Sequence, residues 1–174
     1  DITKFQLKKF KIKNDMRLAL ISEETENHLI NFLTTQSSSL VSMFIDVCRP
    51  HVIEHIFNKM TNLTSIHVET LMTNYNAKDL NLRLNEKIVD LKIPYINRHE
   101  DIREILSITP NLETLFVAHL SHETMNYIAY NLKKLTTLKY RYDEIDCEIL
   151  YDTLKDQNEE VNQNIEMIVD YEYS

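Results

Sequence analysis

Residues 51–55 read His-Val-Ile-Glu-His. The spacing H-x-x-E-H is the one with which inverted zinc peptidases supply two imidazole ligands and a carboxylate general base. On a helix, residues four apart share a face, so His51 and His55 would bracket one ion with Glu54 beside it. Zinc hydrolysis needs more: a third protein ligand, an open coordination position and walls that control water. Other polar clusters offer less. Ser37-Ser38-Ser39 reads as a polar turn with no base nearby in sequence. Asp143, Glu144, Asp146 and Glu148 lack the alternating oxygen ligands and Gly of a calcium loop, and read as a solvated helix start favoured by the helix dipole.

Composition narrows the chemistry further. A chain of 174 residues with 43% hydrophobic content suits one folded domain, burying roughly 70% of its unfolded surface. It contains no Gly, which removes the loops that bring backbone amides against phosphates and dinucleotides. No cofactor is expected. A net charge of −8 argues against general nucleic-acid binding, and the one basic cluster, Lys4, Lys8, Lys9, Lys11 and Lys13, is local. No apolar run approaches the ~20 residues of a membrane span, and "DITKFQLKKFKIK" lacks the apolar core of a signal peptide. The chain begins without Met and reads as a fragment of a longer one. Cys48 and Cys147 form no C-x-x-C pair and point to a reducing compartment, cytoplasmic or nuclear. The triplet Asn62-Leu63-Thr64 matches a glycosylation acceptor, with nothing else pointing to secretion.

The elements that would position these residues come from an internal repeat. Shifting the chain by 49 lays Ile53, Ile56 and Phe57 over Ile102, Ile105 and Leu106, Asn62-Leu63 over Asn111-Leu112, Ile66 over Leu115 and Val68 over Val117. The unit is an amphipathic helix, a break, then L-x-x-L-x-L. Its apolar triplet recurs as Leu7/Phe10/Ile12, Leu40/Met43/Ile45, Leu63/Ile66/Val68, Ile88/Leu91/Ile93, Leu112/Leu115/Val117 and Leu135/Leu138/Tyr140. The starts are 33, 23, 25, 24 and 23 residues apart, and a less regular triplet surrounds Ile165, Met167 and Val169. Each triplet predicts a strand, because its last two apolar residues are two apart. Helical periodicity falls at 24–36, 51–60, 99–108, 122–132 and 143–156, with Cys147 packed in the last; residues 72–86 are too polar for a helix.

This pattern resembles a leucine-rich repeat array, in which each strand–helix unit buries its apolar side only by stacking on neighbours. The resemblance implies an α/β solenoid: residues 1–174 as a single domain of about six to seven repeats, a right-handed horseshoe with a parallel concave sheet and convex helices. Cys48 at the N/C position resembles the cysteine-containing class common in F-box proteins, where the repeats recruit substrates to a cullin-type ubiquitin ligase. "ETENHLINFLTTQSSSLVSMFID" and "VIEHIFNKMTNLTSIHV" are similar to insect F-box-type repeat proteins. In the other units the N/C position holds Leu71, Ile96, Leu120 and Asp143, and the chain carries no F-box-like segment. An adaptor contact would therefore run through a missing segment.

In that alignment His51, Glu54 and His55 fall on Glu100, Arg103 and Glu104, then on Glu123, Asn126 and Tyr127. These are polar positions outside the apolar stripe, on a convex helix with no third ligand in prospect, and no catalytic or metal site is expected. The binding surface is expected on the concave sheet instead. Position five across the units reads Lys11, Phe44, His67, Lys92, Phe116 and Lys139. Position three reads Lys9, Ser42, Ser65, Asp90, Thr114 and Thr137; position seven reads Lys13, Asp46, Glu69, Pro94, Ala118 and Arg141. An aromatic on a solvated sheet face favours a partner, which makes Phe44 and Phe116 the candidate anchors of a protein or peptide. Lys9, Lys11 and Lys13 read as a charged edge strand. Two alternatives stand beside the interaction module: a structural spacer without a partner, and a zinc-dependent hydrolase built on His51, Glu54 and His55.

Overall fold

Alternation at the period of an extended chain decides where each strand begins. The computed structural model describes residues 6–13, 23–71, 80–96, 99–141 and 165–170. Every apolar triplet ends in a strand: β1 (Lys9–Ile12), β2 (Ser42–Cys48), β3 (Ser65–Leu71), β4 (Asp90–Ile93), β6 (Thr114–Val117), β7 (Thr137–Arg141) and β8 (Glu166–Asp170), with the two-residue β5 (Tyr95–Ile96) an addition outside the triplets. They form one parallel sheet in the order β1-β2-β3-β4-β6-β7-β8, with β5 paired to β3. Among the described residues four helices lie between strands: α1 (Glu23–Thr35), α2 (Pro50–Lys59), α3 (His99–Ser107) and α4 (His122–Asn131), each close to its expected span. Residues 80–86 are not helical, whereas 72–79 and the expected helix at 143–156 lie outside the described residues. The protein is α/β, and no helix among the described residues is long and apolar enough to cross a membrane.

Register is uniform from strand to strand. Phe10 faces Met43, which faces Ile66, then Leu91, Leu115 and Leu138. All but Phe10 are buried, and they join Ile45, Val68, Ile93 and Val117 in one core with Val52, Ile53, Ile56 and Phe57 of α2, Ile102 and Ile105 of α3, and Met125 and Ile128 of α4. Each such side chain contributes about 1.5–3 kcal/mol on burial, so this row and its helix partners dominate the stability.

Backbone bonds repeat with the same period. Val41 and Ser42 N–H both donate to the Lys8 carbonyl, Thr64 and Ser65 N–H to Val41, Val89 and Asp90 N–H to Thr64, Glu113 and Thr114 N–H to Val89, and Thr136 and Thr137 N–H to Glu113. Side-chain amides add a second tie. Asn62 Nδ2 donates to the Ser38 carbonyl (2.6 Å) and Asn111 Nδ2, at the equivalent position, to the Glu86 carbonyl (2.8 Å). At the N/C position, by contrast, Cys48, Leu71 and Ile96 stack in register as a buried apolar row.

Position seven departs from expectation in two units. Pro94 and Ala118 are buried rather than displayed on the sheet. Pro cannot donate to a ladder; β4 stops at Ile93, and the Ala118 N–H donates to the Pro94 carbonyl at 3.0 Å. Helix ends are also made without Gly. Helix α2 ends at Met60 (φ −88°, ψ 75°) and α4 at Leu132 (φ −94°, ψ 70°), both with negative φ and both buried.

Candidate functional site

The sheet places the six expected residues in one row. Lys11, Phe44, His67, Lys92, Phe116 and Lys139 are successive register partners, and Ile168 of β8 extends the row. Adjacent strands lie about 4.8 Å apart, so the six positions span about 24 Å. Lys11 is exposed and the other five are half-buried. They point away from the core because their strand neighbours on either side, such as Met43 and Ile45 around Phe44, point into it.

Phe44 is framed by its own row. The Lys11 ammonium sits 4.6 Å from the centroid of the Phe44 ring, and His67 meets the same ring edge-on at 4.5 Å with an interplanar angle of 77°. Cation–π and edge contacts of this kind are worth about 0.5–1.5 kcal/mol each. They hold Phe44 in place without covering it. Phe116 lies in register between Lys92 and Lys139.

A polar network crosses the middle of the face. Ser65 Oγ donates to Asp90 Oδ2 at 2.9 Å, and Lys92 Nζ lies 3.6 Å from the same oxygen. Asp90 Oδ1 is buried without a hydrogen-bond partner. His67 Nε2 is 3.0 Å from Glu69 Oε2. Burial holds the His67 imidazole below its ordinary pKa, and the Lys92 charge adds to this, against the opposing pull of the Glu69 carboxylate and of Asp90. Burial wins, so near neutral pH the contact is a hydrogen bond from a neutral ring. Nε2 then carries the proton, because a carboxylate can only accept.

The H-x-x-E-H residues are placed differently. His51 Nε2 lies 3.0 Å from Glu26 Oε2 on α1, although that oxygen completes no hydrogen bond. His55 Nε2 lies 3.2 Å from Thr34 Oγ1, also on α1. Thr34 donates its own proton to the Ile30 carbonyl at 2.8 Å, so His55 Nε2–H is the donor to Thr34. Burial and the nearby Lys59 charge push the His55 pKa down. Both rings are thus turned toward the preceding helix, and Glu54 is half-buried. Glu123, at the position equivalent to His51, does the same job on α4 by accepting from Arg103 Nη1 of α3 at 3.2 Å. Among the described residues no three His, Cys, Asp or Glu side chains are placed to hold one metal ion.

Glu26 carries no functional signal in the sequence. It is 2% exposed, and its carboxylate also lies 3.1 Å from Arg49 Nε. The residues around it gave no signal, because Glu at the start of a helix is ordinary. Cys48 lies near enough for the Glu26 charge to act on it: burial, reinforced by that charge, pushes the thiol far above its ordinary pKa. The amide ties were visible in principle, since Asn62 and Asn111 coincide under the shift of 49. No family model matches the chain, and no curated protein or solved structure matches it either.

Proposed function

We propose that the chain is a leucine-rich-repeat solenoid whose sheet face, opposite the helices, binds a protein or peptide. The carrying observation is the single row Lys11–Phe44–His67–Lys92–Phe116–Lys139, which sets two aromatics among three ammonium groups on preformed strands. Half-buried aromatics on a rigid face are the residue type that supplies binding energy, and the flanking charges supply orientation and encounter rate. Catalysis plays no part in this reading. Its specific form, which rests on the resemblance to F-box repeat proteins, is recruitment of substrates to a cullin-type ubiquitin ligase in the cytoplasm or nucleus.

The test is a pull-down from lysate with the wild-type chain beside a Phe44→Asp, Phe116→Asp variant, with folding of both checked by circular dichroism. Proteins held only by the wild type support the sheet face, and ligase components among them support the specific form. Identical captures from two folded baits remove the sheet face from consideration.

A further inference from the structure

Among the described residues the two edge strands of the sheet, β1 and β8, carry residues of opposite charge in matching register. At one edge β1 presents Lys9 and Lys11, both exposed, with exposed Lys13 one residue beyond the strand. At the other edge, the row that begins at Lys9 runs through Ser42, Ser65, Asp90, Thr114 and Thr137 to exposed Glu166. Asp170, paired with Arg141, follows Val169 as Lys13 follows Ile12.

The core is also less covered where β1 closes it. Phe10 and Ile12 are half-buried, whereas their register partners Met43 and Ile45 are buried. The backbone pattern points the same way. Each strand entry offers one carbonyl to two amides of the next strand, and the Thr136 carbonyl accepts from Glu166 N–H. Continuing that pattern, the next acceptor is the Ile165 carbonyl of the last strand, and the donors that match it are the amides of Lys8 and Lys9 of the first.

We propose that the chain associates head to tail with second copies of itself. Strand β8 of one copy adds in parallel to β1 of the next in the register used throughout the sheet, so that Glu166 meets Lys9 and Asp170 meets Lys13. Two β1 edges repel through their lysines, the means by which edge strands avoid promiscuous pairing; the acidic β8 edge turns that repulsion into a choice of partner. The net charge of −8 opposes association, but at physiological salt the screening length is about 8 Å. Side chains on adjacent strands about 4.8 Å apart act within that length, and the repulsion between whole molecules acts largely beyond it. Such an interface is heterologous, so it yields open chains or a ring rather than a closed pair.

Analytical ultracentrifugation of the full chain against concentration tests this. The weight-average mass is expected to rise from the 20.7 kDa of one chain past two chains as concentration increases. Lys9→Glu with Lys13→Glu gives two acidic edges, and Glu166→Lys with Asp170→Lys gives two basic ones. Each variant alone is expected to stay at one chain, and an equimolar mixture to regain association. If a charge-reversed chain does not fold, the corresponding Gln substitutions are expected to weaken association at least tenfold. A wild type that stays at one chain across the range overturns the proposal, as when each edge is covered within its own chain. A mass that stops at two chains, or folded variants whose mixture does not reassociate, overturns it equally. None of these four residues belongs to the row assigned to partner binding, so the outcome is independent of that reading.

Discussion

His51 and Glu26 join two helices through a contact that is buried at one end and open at the other. The His51 ring and the Glu26 carboxylate approach to 3.0 Å, with the Glu26 side chain 3% exposed and His51 48%. A buried carboxylate is costly unless paired, and the Arg49 guanidinium pairs with it at 3.1 Å. Replacing Glu26 with Gln keeps the volume and removes the charge-assisted contacts, and is expected to cost about 1.5–3 kcal/mol. His51→Ala should cost less, because Arg49 remains and the ring is half in water. Urea midpoints of the two variants and of the double variant measure both effects and their coupling.

His67 should titrate below the ordinary histidine value. Its folded form favours the neutral ring, so acidification protonates the unfolded chain first, near pH 6.5. The stability that His67 contributes is therefore fully present above that pH and is lost as pH falls toward the lowered folded value. Lys92→Met should raise the folded value and narrow the loss, whereas Glu69→Gln should lower it further. Histidine resonances followed by NMR across this pH range, with melting temperatures beside them, check the order.

Cys48 is expected to be inert in the folded chain. Its thiol is buried and held far above the ordinary range, and the thiolate is the reactive species. Alkylation of Cys48, followed by mass spectrometry of its peptide, should proceed in denaturant and be slower by orders of magnitude in buffer. Fast labelling of the folded protein would contradict the placement of this residue.

The amide ties should be worth little one at a time and add. Asn62→Ala removes the bond to the Ser38 carbonyl and one from Lys87 Nζ at 2.8 Å; Asn111→Ala removes the bond to Glu86. Each is expected to cost about 0.5–1.5 kcal/mol. The two sites precede strands two steps apart, roughly 10 Å, so the double variant should lose close to the sum. Denaturant unfolding of the three variants checks this.

Strand positions were readable because the apolar triplets recur at near-constant spacing and each position five landed beside the next. The row Lys11 to Lys139 follows from that spacing alone. What surrounds each member did not follow: the spacing of Lys11, Phe44 and His67 cannot show that the ammonium and imidazole flank the ring, because that depends on rotamers across three strands. Alternation alone puts Pro94 and Ala118 on the displayed face, yet β4 and β6 end one residue before them and both are buried. The motif at residues 51–55 looked like chemistry because local spacing says nothing about α1, whose Glu26 and Thr34 claim both rings.

Met60 and Leu132 end their helices with negative φ, in a chain that has no Gly to do it otherwise. Roughly a third to a half of helices end instead on a residue in the left-handed conformation, usually Gly. Here the helix-ending residue is a large side chain wedged in the interior, 0% exposed at Met60 and 1% at Leu132. The unfolded chain is stiffer for lacking Gly, since each Gly avoided at a compatible site is worth about 0.4–1 kcal/mol through the unfolded ensemble. Reversal and interior then rest on the same residue, and a substitution that loosens the bend also opens a cavity beneath it.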